Sequence, residues 1–104
     1  MQFLSFLDSG HLTIVLEGEI DHPRAKVYIE SILAKIELYS PLECVLDFSD
    51  VTFMDSSGFA VVINALRAMK KMNGTLSLLR VAAQPLKILK ISGVDKLVQI
   101  KENA

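Results

Sequence analysis

Residues 43–53, ECVLDFSDVTF, restrict the fold more than any other stretch because they form a long and largely apolar run. Such a run predicts a central β-strand that is covered on both faces. Apolar residues recur at helical spacing on either side of it, in residues 23–36 and again in residues 57–71. Pro23 has the fixed φ that suits the first turn of the earlier helix. A buried strand between two amphipathic helices predicts a sheet with helices packed on it.

The chain before this run predicts a β-hairpin. Residues 11–17 alternate between buried-type and exposed-type side chains, which is typical of a strand with one buried face. Residues 2–7 are predicted to pair with that strand through a turn at Asp8, Ser9 and Gly10, since these residue types tolerate turn geometry.

The chain after the second helix predicts two more strands and one more helix. Asn73 and Gly74 suit the left-handed position at a helix end. Residues 75–81 and 96–100 are predicted strands, and residues 85–92 form a short amphipathic helix between them. The order of elements favours one α/β domain over the whole chain of 104 residues. Its sheet is predicted to be mixed, with four to five strands, largely parallel after the hairpin, and with three to four helices packed on it.

Composition excludes several classes of function. The chain is 51% apolar and has a formal net charge of -1, so it can bury a core but has no strong field to hold nucleic acid or an anionic membrane. A protein or a small ligand is the expected partner. Cys44, the only cysteine, lies in the apolar run, which predicts a buried thiol and no disulfide. Because His11 and His22 are the only imidazoles, no metal and no cofactor is predicted. No signal-peptide pattern and no membrane-length apolar run is found, which predicts a soluble, cytoplasmic protein.

The motif TFMDSSGFA, residues 52–60, interrupts apolar sequence with an acid, two serines and a glycine. It lies between the end of the predicted central strand and the start of the second helix, an edge where sheets of this kind usually carry function. The simplest interpretation is a helix start. Asp55 and the serines Ser56 and Ser57 would then cap free backbone N–H groups, and Gly58 would tighten the turn.

A catalytic serine is the second interpretation, and the sequence argues against it. A serine nucleophile needs a general base, and hydrolases place it in G-x-S-x-G, whereas Met54 and Asp55 precede the first serine here. His22 could approach, but nothing in the sequence orients it. The turn also has one glycine and no following lysine, so it makes no phosphate-binding loop. The chain is therefore not predicted to be an enzyme.

Covalent modification is the third interpretation. A hydroxyl at a helix N-terminus is open to partners, and a phosphate there would face unpaired N–H groups and the positive end of the helix dipole. It would add about two negative charges beside Asp55 without unfolding the chain. Modification of one of the serines would therefore act as a binding switch.

Two segments at this point resemble a known family. DFSDVTFMDSSGFAVVI, residues 47–63, resembles the signature of the STAS domain of bacterial anti-sigma factor antagonists. LEGEIDHPRA, residues 16–25, resembles its upstream counterpart, close to the sporulation branch, and the likeness continues through ILKISGVDKLVQI, residues 88–100. Phe59 and Ala60 depart from the pattern, since members often have Leu and Gly there. The resemblance implies four or five strands and several helices, in agreement with the predicted order.

The resemblance also implies a function. The dephosphorylated protein would capture an anti-sigma factor and free a sigma factor. The anti-sigma factor, itself a serine kinase, would phosphorylate Ser56, and a phosphatase of the PP2C type would reverse this. The docking loop of the family falls on Glu19, Asp21 and His22. The expected partner surface therefore consists of Glu19, Asp21, His22, Asp55, Ser57 and Gly58, on a protein that is a monomer when free. A STAS interaction module of a stress-signalling, transporter or lipid-handling system is the alternative.

Overall fold

The computed structural model describes residues 3–103 as a five-stranded sheet with three α-helices. The strands are β1 (Leu4–Asp8), β2 (His11–Ile20), β3 (Glu43–Met54), β4 (Thr75–Leu79) and β5 (Gln99–Lys101). The helices are α1 (His22–Tyr39), α2 (Gly58–Lys71) and α3 (Ala83–Ser92), and a short 3-10 turn, Val94–Lys96, precedes β5. The predicted α/β fold and the predicted order of its elements are confirmed.

The strands lie side by side in the order in which they occur along the chain. β1 and β2 are antiparallel, whereas β2, β3, β4 and β5 are parallel to one another. The predicted hairpin turn is confirmed at Ser9 and Gly10, whose φ angles of 50° and 83° are left-handed. Gln2, at the start of the predicted first strand, lies outside the described residues.

All three helices form one layer on one face of the sheet. Strand order follows chain order, so each right-handed crossover places its helix on the same side. α1 packs on α2, and α2 packs on α3. Residues that are completely buried between the sheet and this layer include Leu12, Ile14, Leu16, Tyr28, Ile32, Ile36, Leu46, Phe48, Val62, Met69 and Leu78.

The prediction that the central strand is covered on both faces is therefore wrong. Leu46 and Phe48 face the helices and are fully buried, but Val45 between them is only half-buried. It lies opposite Thr13 of β2 on the face that no helix covers. β3 is paired with β2 and β4, but only one of its faces is packed by helices.

The helix ends follow the sequence signals in most places. Asp21 caps α1, since its carboxylate accepts the N–H of Arg24 at 3.1 Å, and Pro23 lies in the first turn as predicted. After α2, Asn73 takes the left-handed conformation with φ of 60°. Gly74 does not, and its small size instead admits the side chain of Met69 close to the backbone.

Two further predictions concern the thiol and the membrane. Cys44 is buried as predicted, and burial raises the pKa of its thiol to about 12, so the thiol is unreactive. Among residues 3–103, no helix combines the length and the apolar character that a membrane crossing requires.

Candidate regulatory site

The candidate site lies at the C-terminal edge of the sheet, where β3 ends at Met54 and the chain turns into α2. Asp55 follows, and its N–H donates to the carbonyl of Ile20 at 3.1 Å, which continues the pairing with β2. The turn between β3 and α2 therefore lies against the end of β2 and the start of α1.

The carboxylate of Asp55 links the two helix starts. One oxygen, Oδ1, accepts the hydroxyl and the backbone N–H of Ser57, the latter at 2.8 Å. The other, Oδ2, accepts the backbone N–H of His22 at 3.1 Å. The hydrogen bond from the Ser57 hydroxyl lowers the pKa of Asp55 most, and the bond from the Ser57 N–H lowers it further. The carboxylate therefore stays charged at neutral pH.

The two serines have different environments. Ser57 is half-buried and gives its hydroxyl to Asp55, so the prediction that it caps the helix through its side chain is wrong. Asp55 instead satisfies the Ser57 N–H. Ser56 is exposed, and within residues 3–103 its hydroxyl makes no hydrogen bond. Of the two hydroxyls, only that of Ser57 is engaged in a hydrogen bond within the described residues.

Most of the N–H groups that a phosphate was expected to meet unpaired at the start of α2 are already hydrogen-bonded. Asp55 occupies the N–H of Ser57, and its carbonyl accepts that of Gly58 at 3.0 Å. The N–H groups of Phe59 and Ala60 donate to the carbonyls of the two serines, at 3.2 and 3.1 Å. The tight first turn occupies these four donors, whereas the N–H of Ser56 has no hydrogen-bond partner in the described residues, so a phosphate there would rely on the helix dipole and on that one N–H unless it displaced Asp55.

Gly58 packs on the inner side of the turn, against Met54. It is buried, and a Cβ at this position would collide with Sδ and Cγ of Met54, which is itself fully buried. The role predicted for Gly58 in partner binding could involve its backbone only, because there is no side chain to reach the surface.

The predicted docking residues lie next to this turn. Glu19 and His22 are exposed, whereas Asp21 is half-buried because it caps α1. His22 reaches the site through its backbone N–H. β2 ends in register with β3, with Ile20 opposite Met54, so the docking residues and the serine turn occupy one edge of the protein.

Tyr28 of α1 fixes the backbone at the end of β2, which carries the predicted docking residue Glu19. Its side chain is completely buried, and its hydroxyl donates to the carbonyls of Glu17 and Glu19, the latter at 3.2 Å. Burial raises the pKa of this hydroxyl, which therefore remains a donor. Between the two acids, Gly18 has a left-handed φ of 87°, and the β2–β3 register shifts at this point. A residue with a side chain would be strained there.

Sequence analysis missed three residues at this edge. Phe53 and Phe59 are 42% and 36% exposed and lie on either side of Ser56 in the chain. Phe53 was assigned to the buried run, but it lies opposite Glu19 after the register shift and faces outward. Gln84 of α3 hydrogen-bonds both backbone groups of Met54. No local signal in the sequence predicts that contact.

Within the described part of the chain, no group of three or more His, Cys, Asp or Glu side chains is arranged to hold a metal ion. The geometry of the edge is that of an exposed hydroxyl on a turn held by hydrogen bonds, with Glu19 and Asp21 next to it at the end of β2 and the start of α1.

The fold and this edge define a class of protein. Residues 7–104 match the model of the STAS domain, and the chain belongs to the STAS domain family. Its curated relatives include the "Anti-sigma-B factor antagonist" of Listeria monocytogenes, 27% identical over 97 residues that cover 90% of this chain and 82% of that protein. They also include the "Anti-sigma F factor antagonist" of Paenibacillus polymyxa, 27% identical over 94 residues that cover 90% and 80%.

A solved relative shares the fold. The anti-sigma factor antagonist SpoIIAA in its unphosphorylated form superposes with a TM-score of 0.79 at 24% identity, covering 95% of this chain and 87% of that one. The structure of SpoIIAA from Bacillus in the phosphorylated form superposes with a TM-score of 0.70 at 24% identity, covering 95% and 90%.

Proposed function

We propose that this chain is an anti-sigma factor antagonist that is switched by phosphorylation of Ser56. In the unmodified state it binds an anti-sigma factor and so releases a sigma factor. The anti-sigma factor acts as the serine kinase that ends the binding, and a PP2C-type phosphatase restores the unmodified state. The names of the relatives support the antagonist role, and the two solved forms of SpoIIAA support a phosphorylated state within this fold.

The difference between the two serine hydroxyls carries the proposal. Ser56 presents an exposed hydroxyl, whereas the hydroxyl of Ser57 is engaged with Asp55. A kinase must bring the hydroxyl oxygen into line with the transferred phosphoryl group. The Ser56 hydroxyl, which is not hydrogen-bonded within the described residues and lies on a turn held by backbone hydrogen bonds, is therefore a better acceptor than that of Ser57.

The effect of the phosphate on binding follows from its charge. It would add about two negative charges beside the charged carboxylate of Asp55. A partner that packs over the exposed Ser56 and the neighbouring start of α2 would have to bury the phosphate at the same time. Burying an unpaired dianion is costly, and the complex should dissociate without any change of fold.

The exposed docking residues give the complex its orientation. Glu19 is exposed, and the half-buried cap Asp21 places a second carboxylate next to the serine turn, with His22 as the first residue of α1. Basic groups of the anti-sigma factor are their expected counterparts. The chain itself performs no chemistry in this cycle, acts as a monomer when free, and works in the cytoplasm, where the kinase finds ATP.

Calorimetric titration tests the proposed function. The anti-sigma factor encoded in the same genome is titrated into unmodified protein, into protein phosphorylated to completion, and into Ser56→Ala. Tight binding is expected for the first and the third, and a large loss of affinity for the second. Equal affinity of the modified and unmodified proteins would contradict the proposal that phosphorylation ends the binding. Absence of binding by the unmodified protein would favour the other STAS roles, in transport or lipid handling.

A further inference from the structure

The end of β3 lacks a neighbouring strand on one side. β4 pairs with β3 only as far as Leu79, which lies opposite Asp47. The chain then turns away at Arg80, whose φ of 53° is left-handed. In the described chain, residues 48–54 therefore have β2 on one side and no strand on the other.

A side chain of α3 takes the place of that strand at Met54. The N–H of Asp55 points to β2, so the N–H and C=O of the preceding residue point to the opposite side, as alternation along a strand requires. Gln84 meets both groups. Its Oε1 accepts the Met54 N–H at 2.8 Å, and its Nε2 donates to the Met54 carbonyl at 2.8 Å.

We propose that Gln84 is a positioning residue for the phosphorylation turn, an inference that rests on the proposed function of Ser56. Met54 directly precedes Asp55 and is fully buried, and Gln84 is the partner of both of its backbone groups, so removal of the amide would leave the two groups without a partner in the described part of the protein. Unpaired buried backbone groups are costly, and the strand end would shift to satisfy them. Such a shift passes through Asp55 to Ser56, two residues further on.

The chemistry of the glutamine fits this role. The amide of an exposed glutamine in the first turn of a helix is ordinarily solvated. The N-cap residue of α3 is Ala82, which makes no side-chain capping bond, so Gln84 is not part of a capping motif. Both ends of the Gln84 amide are nevertheless directed at one residue of a distant strand. A carboxamide carries an acceptor oxygen and a donor nitrogen side by side, so it can pair with the N–H and the C=O of one strand residue at the same time.

Hydrogen exchange tests the contact without any partner. In Gln84→Ala, the amides of Met54 and Asp55 should exchange on the order of tenfold faster than in the wild type, while that of Leu46 in the same strand stays protected. Gln84→Glu keeps the size of the side chain but lacks the donor, and it should also speed exchange. Lys87→Ala, an exposed change on the same helix, is the control. Unchanged exchange at Met54 in both Gln84 variants would overturn the inference.

Phosphorylation kinetics test the positioning role. With the anti-sigma factor of the same genome, ATP and Mg²⁺, Gln84→Ala should lower kcat for phosphate transfer by roughly 10-fold and change KM much less. The orientation of the Ser56 hydroxyl depends on the turn, whereas Glu19 and Asp21 lie at the end of β2 and the start of α1 and are held there by Tyr28 and the cap of α1. Lys87→Ala should match the wild type. Equal kcat for Gln84→Ala and the wild type would overturn the positioning role of Gln84 and leave the proposed function of Ser56 standing. A wild type that accepts no phosphate would overturn the proposed function and, with it, the positioning role, even if exchange at Met54 had changed.

Discussion

Asp55 and His22 are joined across the two helix starts by a hydrogen bond of 3.1 Å from the His22 N–H to the Asp55 carboxylate. The same carboxylate holds Ser57. Asp55 therefore sets the position of the docking segment relative to the serine turn, and both parts of the proposed partner surface are fixed before any partner arrives. Preorganisation of this kind favours binding because less motion is lost on association.

Asp21 is expected to act in both stability and docking, and two substitutions separate these roles. Asp21→Ala removes the cap of α1 and should cost about 0.5 to 2 kcal/mol of stability. Asp21→Asn keeps a capping oxygen and removes the charge, so it should weaken binding of the anti-sigma factor with little change in Tm. Glu37→Gln, at the exposed far end of α1, is the control for loss of a charge. Undiminished affinity of Asp21→Asn in a calorimetric titration would take this acid out of the interface.

Leu66 tests the assignment of the core. It is 8% exposed on α2, and Leu66→Ala should reduce the free energy of unfolding by roughly 2 to 5 kcal/mol, since the change leaves a cavity. The neighbouring Arg67 is exposed, so Arg67→Ala should change stability by no more than about 0.5 kcal/mol. Denaturant unfolding measures both. Near-equal midpoints for the two variants would mean that α2 packs through another face.

Acid should weaken the fold through Asp47. Burial by itself raises the pKa of this carboxyl, but hydrogen bonds from Arg80 and Ser49 outweigh it, and the pKa lies below the ordinary value of 3.8. A lowered pKa in the folded state means that the charged form stabilises the fold. This contribution is complete above the unfolded value and is lost as the pH falls through the folded one.

Unfolding of the wild type and of Asp47→Asn, measured from neutral pH down to strong acid, tests this expectation. Asp47→Asn should be less stable by about 1 to 3 kcal/mol near neutral pH, and the difference should shrink below about pH 3.8. Asp50→Asn, an exposed change on the same strand, controls for the loss of a carboxylate. A difference that stays constant across the whole range would show that the Asp47 charge does not contribute.

Gly58 is expected to be intolerant of a side chain. Gly58→Ala places a Cβ against Met54 and should destabilise the protein by about 1 to 3 kcal/mol, as overpacking does. In a Met54→Ala background the same change should cost clearly less, because the colliding atoms are gone. Additive effects in this double-mutant cycle would mean that the two residues do not compete for space.

The success of sequence prediction followed the strength of the local pattern. The alternation in β2 and the helical spacing in α1 and α2 gave the correct elements. β2 was predicted to end at Glu17 but runs to Ile20, since Gly18 breaks the alternation while the pairing with β3 continues through a register shift. The hydrophobic periodicity of a single segment carries no information on its register with another strand, so it cannot predict such a shift.

The parts of the site that were missed depend on the folded geometry of the turn and on contacts between distant segments. The two serines look equivalent by residue type, and the hydrogen bond from Ser57 to Asp55 and the greater exposure of Ser56 distinguish them. The pairing of Gln84 with Met54 spans 30 residues and leaves no periodic trace. The open face of the sheet became evident only once the strand order placed every helix on one side.

The most direct test of the central claim is a phosphopeptide map of the wild type, Ser56→Ala and Ser57→Ala after incubation with the anti-sigma factor of the same genome and ATP. Because the Ser56 hydroxyl is exposed and that of Ser57 is held by Asp55, phosphate should appear on Ser56 in the wild type and in Ser57→Ala. Ser56→Ala should remain unmodified while still binding the partner. Full phosphate incorporation into Ser56→Ala would contradict the account.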